Sequence, residues 1–421
     1  MTRTRNTHFN RRRLAIEHLD QRLLLASDFA VWLFVGHLEV WGTSDDDHIA
    51  VTRSDLGITI VEASNANESV WFSFADPVTR VSMHGGYGDD VLSGSSGADE
   101  IFGGPGNDRI YGNDGDDLLF GLYPVDPNAP TIDEVFSDDD TIYGGADNDT
   151  IDGGQGDDVL YGLYPLPDGV VSLVPRDDDD ITGGWGDDSI FGGNGNDKLR
   201  GGIGNDIVVG DRGDDVIEGG DGADDLSGGW GNDVIDGGSG NDKIDGGSGN
   251  DTIEGGDGDD TIVAGPDVPE FRYSDNDTVH GGAGSDIIHA GYGVDRVFGD
   301  EGNDWIWGGS DDDFLHGGDG HDQLNGGDGN DLLVGGRGND YLNGGAGNDQ
   351  LYGNRGHDIL NGGSGYDTGR GGSGNDRRIS LEGEGPRLRK AVATFEAQHP
   401  SSSLSVSVLG PLVEDLNDDE P

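Results

Sequence analysis

A nine-residue period dominates the chain, from GGSGNDKID at 237–245 through GGSGNDTIE at 246–254 to GGDGDDTIV at 255–263. Self-similarity at so short a period restricts a sequence to stacked architectures, because one unit alone cannot bury a core. The register opens at Gly85 and runs to Ile379, as four units at 85–120, two at 144–161, nine at 183–263 and eleven at 281–379. Three stretched units, at 121–143, 162–182 and 264–280, carry 14, 12 and 8 extra residues and rejoin the register with DDDTIY, DDDIT and DNDTVH, which brings the count to 29.

Within the unit, position 6 is Asp all 29 times, and position 8 is Ile, Leu or Val except where Gly369 and Arg378 stand. Glycine recurs at positions 1, 2 and 4, where it permits positive φ and close backbone approach. The first six residues therefore predict a tight turn and the last three a short strand. Alternation along the strand sends position 8 inward and positions 7 and 9 outward. Two facing units make an 18-residue coil, and about fourteen such coils stack at the ~4.8 Å spacing of paired strands. The expected fold is all-β, a right-handed parallel β-roll (a β-helix or solenoid) of nine-residue half-turns.

Such a roll has a thin core. Only 32% of the 421 residues are hydrophobic while Gly supplies 81, so apolar burial at ~25 cal/mol per Å² does not offset the entropy of ordering the glycines. Asp and Glu number 84 against 24 Lys and Arg, a formal net charge of −60, and self-repulsion on that scale opposes compaction. Cations must supply the missing stabilisation. The chain has no Cys, which removes disulfides and thiolate sites and leaves oxygen ligands. Calcium takes six to eight hard oxygens in a flexible cage, as carbonyl-rich turns with one Asp each can offer, whereas magnesium holds its waters and demands a tighter octahedron. Aspartates that merely solubilise turns would not keep position 6 fixed while position 5 varies among Asp, Asn, Ala, His, Tyr, Val and Ser. The acidic balance also excludes a nucleic-acid partner, which needs a basic face, and no apolar run reaches the length of a transmembrane span.

These units resemble the hemolysin-type calcium-binding repeats of RTX proteins, whose motif is GGxGxDxUx. The resemblance covers 295 of the 421 residues. It implies a calcium ion between turns on the same edge, held by position-6 carboxylates of units i and i+2, such as Asp233 with Asp251 or Asp331 with Asp349, and by carbonyl oxygens of the turns. The implied Ca²⁺ ligands are Asp90, Asp99, Asp108, Asp117, Asp140, Asp149, Asp158, Asp179, Asp188, Asp197, Asp206, Asp215, Asp224 and Asp233. The series continues with Asp242, Asp251, Asp260, Asp277, Asp286, Asp295, Asp304, Asp313, Asp322, Asp331, Asp340, Asp349, Asp358 and Asp367. Pairing of this kind allows at most about 27 ions, roughly +54 of charge, close to the formal −60.

Outside the array, residues 28–84 alternate apolar and polar positions, as in Leu38-Glu39-Val40-Trp41, Ile58-Thr59-Ile60-Val61 and Val70-Trp71-Phe72-Ser73-Phe74, and predict an irregular β cap. Within them Gly42 to Ala50 reads as a degenerate unit. Residues 1–27 are basic and targeting-like. Leu19 to Leu25 resembles the LEPR-XLL-type signature of bacterial repeat-rich surface proteins, with Asp20 and Gln21 replacing its Glu and Pro. Glu17, Asp20 and Arg22 interrupt the apolar core that a secretory signal needs. At the other end, Gly369 and Arg378 remove the ladder residue, so fraying is expected near Asn361. In the tail, 380–421, a helix is expected over Arg387–Ala397 and a polar strand over Ser401–Val408, and the resemblance implies a type I secretion signal.

No GxSxG, HExxH or P-loop pattern occurs, and His280, His289 and His316 fall at outward position 9. The chain is not expected to be an enzyme. The sequence points to a secreted or cell-surface bacterial protein that folds on binding calcium and has a structural or adhesive role, with calcium and surface or matrix components as partners. The alternative class is an RTX toxin, hemolysin-like, or the calcium-binding appendage of a secreted hydrolase.

Overall fold

A computed structural model describes residues 22–26, 29–34, 37–44, 46–53, 59–64, 69–74, 80–122, 139–163, 177–265 and 275–399. The chain is an all-β parallel solenoid, divided into two compact units, Met1–Ser189 and Ile190–Pro421.

In the first unit, strands pair in parallel with those two repeats away and so form two ladders. One runs through Arg80–His84, Asp99–Phe102, Leu118–Phe120, Thr150–Gln155 and Asp180–Trp185. The other runs through Val91–Ser93, Arg109–Asp114, Thr141–Ala146 and Val159–Leu163. Position 8 faces inward throughout, and Leu92, Ile101, Ile110, Leu119, Ile142 and Leu160 are fully buried. Each ladder begins in an antiparallel meander. Arg22–Ala26, Phe29–Phe34 and His37–Trp41 fold back on one another before His37–Trp41 pairs in parallel with Arg80–His84. His48–Arg53, Thr59–Ser64 and Ser69–Phe74 do the same ahead of Val91–Ser93. Residues of the 28–84 segment thus supply the first rungs of both ladders.

The second unit repeats the pattern with a regular six-residue strand, as in Val234–Ser239 and Lys243–Ser248. Each strand takes positions 7 to 9 and the first three residues of the next unit, so it is twice as long as the sequence predicts. The reason lies in the backbone. Glycines 1 and 2 lack a Cβ but keep their amides, and these continue the ladder, as Gly103 N to Phe120 O at 2.9 Å and Gly104 N to Gly121 O at 2.8 Å illustrate in the first unit. The turn itself needs left-handed backbone at positions 2 and 4, as at Gly238 (φ 99°) and Gly240 (φ 133°). At four units whose position 2 is not glycine, Asn113, Asp211, Asp300 and Asn354 hold the turn with positive φ, and Asn and Asp are the residues that tolerate that region best.

The array does not fray at Asn361. Ile359–Ser364 pairs with Arg377–Ile379, and Gln350–Arg355 with Thr368–Arg370. Two residues of the following segment replace what the last units lack. A Cβ on Gly369 would meet Leu381 Cδ1 at 2.8 Å, so Leu381 occupies the place of the missing ladder residue. Glu382 accepts the Asp367 amide at 2.7 Å, a role that an Asp two units on fills elsewhere. Helix α1 (Leu388–Gln398) then follows, one residue displaced from the expected span. Its i, i+3, i+4, i+7 residues Leu388, Ala391, Val392 and Phe395 pack on Phe298, Phe314, Leu332, Val334 and Tyr352, and Tyr352 Oη donates to Pro386 O at 2.7 Å. These five point away from the ladder core, as positions 7 and 9 must, but α1 covers them. His316, placed at the surface by its position-9 assignment, is likewise buried, at 2% exposure.

Residues 1–21, which include Leu19 to Gln21 of the LEPR-XLL-like segment, lie outside the described residues, as do the interiors of the three inserted loops and Ser401–Val408.

Candidate metal centre

Every candidate position-6 aspartate from Asp90 to Asp367 is buried, with no more than 3% of its surface exposed. A solvated turn decoration would be open to water, so that reading fails. The burial follows from the turn: a left-handed residue on each side of position 3 folds the chain so that position 6 points back beneath the turn of its own unit.

The two oxygens of each carboxylate have different surroundings. Oδ1 accepts the main-chain amide of the aspartate two units earlier, at 2.8 Å from Asp233 N to Asp251 Oδ1 and 3.0 Å from Asp331 N to Asp349 Oδ1. The chain of bonds is continuous along an edge, from Asp47 to Asp90 to Asp108 in the first unit and from Asp215 to Asp233 to Asp251 to Asp277 in the second. The pairs that the sequence places at i and i+2 are therefore brought together through one N–H. Oδ2 is placed differently, and at Asp99 it accepts the Ser95 amide. In Asp90, Asp117, Asp149, Asp215, Asp233, Asp251, Asp304 and Asp331 it is buried without a hydrogen-bond partner among the described residues.

What faces Oδ2 is another oxygen. A Cβ on Gly219 would fall 2.5 Å from both Asp224 Oδ2 and the Gly237 main-chain oxygen, and Gly228 and Gly326 front the same pair of oxygens in their own units. Position 1 is thus glycine for space, because its hydrogen faces a carboxylate oxygen of its own unit and a carbonyl oxygen of the next coil. Two acceptors held together with no proton between them are a poor hydrogen-bonding arrangement and a good cation cradle. Among the described residues no group of three or more His, Asp or Glu side chains converges on one point. The donor set is instead a carboxylate with main-chain carbonyls, which suits a hard, oxygen-seeking ion and not a transition metal.

The electrostatics agree. Burial pushes the Asp149 carboxyl up to about 9, with the neighbouring Asp179, Asp117 and Asp177 carboxylates adding to the shift and the hydrogen-bonded amide opposing it. Burial likewise raises Asp117, Asp304 and Asp331 to about 8. A carboxyl raised that far must take up either a proton or a cation near neutral pH. Calcium fits these residues, and its two charges would stabilise facing carboxylates that otherwise repel.

Sequence reasoning missed three further buried carboxylates. Asp47, in the degenerate unit, is 2% exposed and donates its amide to Asp90 Oδ1 at 2.6 Å, so the mimicry noted at Gly42 to Ala50 is a real first coil. Asp177 and Asp275 lie two residues before Asp179 and Asp277 and are 1% and 6% exposed. Their signal was a D-x-D at the loop return in place of G-x-D.

Fold and donor set together define a repeat solenoid whose turns gather oxygen donors of the kind hard cations take. A family model described as the RTX calcium-binding nonapeptide repeat matches residues 84–119, 136–163, 176–199, 200–235, 236–267, 273–306, 298–333, 307–342, 334–369 and 343–377, more than half the chain, and the chain belongs to that family. No curated protein matches it.

Steric filling of one cradle provides a local test. Gly219→Val is expected to remove one calcium ion from the stoichiometry and to lower the stability of the calcium-saturated chain by about 3 kcal/mol, read by calorimetric titration and urea denaturation. An unchanged stoichiometry would show that the oxygens around position 1 do not bind the ion.

Proposed function

We propose that the chain is a secreted or cell-surface calcium-binding repeat protein that folds on reaching calcium outside the cell and serves a structural or adhesive role without enzymatic activity. The supporting observation is the pair of aspartate rows, buried along their length with Oδ2 facing carbonyl oxygen. The position-6 residues from Asp90 to Asp367 act as the calcium ligands, together with main-chain oxygens of the glycine turns. Sites of the extracellular class bind with Kd near 10⁻⁴ to 10⁻³ M, so the array stays unfolded where calcium is scarce and folds where it is plentiful. Among the described residues no helix is long and apolar enough to cross a membrane, so attachment at a surface falls to the solenoid's exposed faces, its loops or the terminal segments.

The test is to fractionate native cells with and without a chelator and to assay the purified protein for liposome leakage. Surface retention lost in chelator, with no leakage, is the expected result. Calcium-dependent leakage would transfer the chain to the toxin class, and a cytoplasmic pool already carrying the strand signal would remove the folding switch.

A further inference from the structure

All three stretched units rejoin the register with aspartate at position 4, at Asp138, Asp177 and Asp275, where every regular unit but those of Asp147 and Asp311 has glycine. Asp177 and Asp275 belong to the described residues and share an unusual environment. Asp275 Oδ1 accepts the Gly249 amide at 2.7 Å, while its Oδ2 is buried with no hydrogen-bond partner among the described residues. Neither oxygen of Asp177 has such a partner, although the Asp147 amide lies close enough to favour its charged form.

Gly249 and Asp147 each stand at position 4 of the unit two before the loop return. In the regular array that amide is met by a neutral main-chain oxygen from position 3, as in Gly240 N to Asp257 O and Gly258 N to Ala283 O, both at 2.7 Å. At the loop return a carboxylate takes over. Asparagine would offer the same acceptor without charge, yet the charge is there and acts on the row beside it. Asp275 repels Asp251 and Asp277, and Asp177 repels Asp149. A Cβ on Gly265 would run into Asp275 Oδ2, so a glycine fronts this oxygen as one does at the regular positions.

We infer that Asp177 and Asp275 are calcium ligands outside the nonapeptide motif, each adding a carboxylate to the row beside Asp149 and Asp251 respectively. This rests on the reading of the position-6 rows as calcium sites. Calcium affinity rises with the number of charged ligands, so these two sites fill before the regular ones and pin the returning limb of each insertion to the ladder. The insertions then sit on the most tightly held turns of the array.

Calorimetric titration of the full chain with calcium, comparing wild type with Asp177→Asn, Asp275→Asn and the double variant, tests this. The wild type is expected to show a tight class of about two ions ahead of the bulk. The double variant loses that class through a roughly tenfold weakening, while the bulk class and the strand signal at saturating calcium remain. A tight class that persists in the double variant, or a wild type without one, overturns the inference and leaves the regular sites standing. No calcium uptake at all by the wild type refutes the broader reading instead. If the double variant fails to reach the wild-type strand signal, the single variants decide, each losing one tight ion or neither doing so.

Discussion

Chelating calcium at pH 7 is expected to abolish most of the chain's strand signal, and restoring calcium in the range 10⁻⁴ to 10⁻³ M to return it steeply. Without the ion, each folded coil would bury carboxylates whose Oδ2 atoms face other acceptors, in a chain of formal net charge −60. The apolar core cannot compensate, because it amounts to one branched side chain per unit, as in Ile235, Ile244 and Ile253. Coupling between neighbouring repeats makes the transition cooperative. Far-UV circular dichroism through a calcium titration measures it. A strand spectrum unchanged by excess chelator would show that the coils need no metal.

Acid should replace calcium in part. Several buried aspartates have folded-state values raised by burial above the ordinary 3.8, to about 6 at Asp233, 8 at Asp304 and 9 at Asp149. A group raised in this way contributes to the stability of the metal-free fold fully below its unfolded value, and that contribution is lost as pH rises through the folded value. The metal-free chain is therefore expected to gain strand signal between pH 8 and pH 5, as the carboxyls that most oppose folding take up protons. Calcium added to the acid-folded chain near pH 5 should in turn release protons, measurable by pH-stat titration. A chelated chain that loses strand signal on acidification would contradict the assignment of these carboxyls as the repulsive element.

Period, strand direction and inward position were legible from the sequence because each has a one-residue signature repeated 29 times. Position 8 told the core, and position 6 told the carboxylate row. The strand's true length was not legible, since Gly-Gly carries no β-propensity and joins the ladder through its amides alone. The closure at the C-terminal end escaped for another reason. Leu381 and Glu382 supply an apolar group and a carboxylate from outside the register, and no periodic search assigns them to a coil. The covering of Phe298, Phe314 and Tyr352 by α1 depends on a contact distant in sequence. At the site, the aspartates were visible, while the distinction between Oδ1 as an amide cap and Oδ2 as the cation's oxygen needed coordinates.

The antiparallel meanders that open both ladders of the first unit carry a further consequence. A parallel array of identical rungs is in principle a template on which another molecule could continue growing, and a chain with bare rungs at its ends would polymerise. Here the outermost partners, Arg22–Ala26 and Ser69–Phe74, run in alternating directions out of register with any nonapeptide. Among the described residues, an incoming nonapeptide would therefore meet a hairpin strand and not a like rung at this end of either ladder.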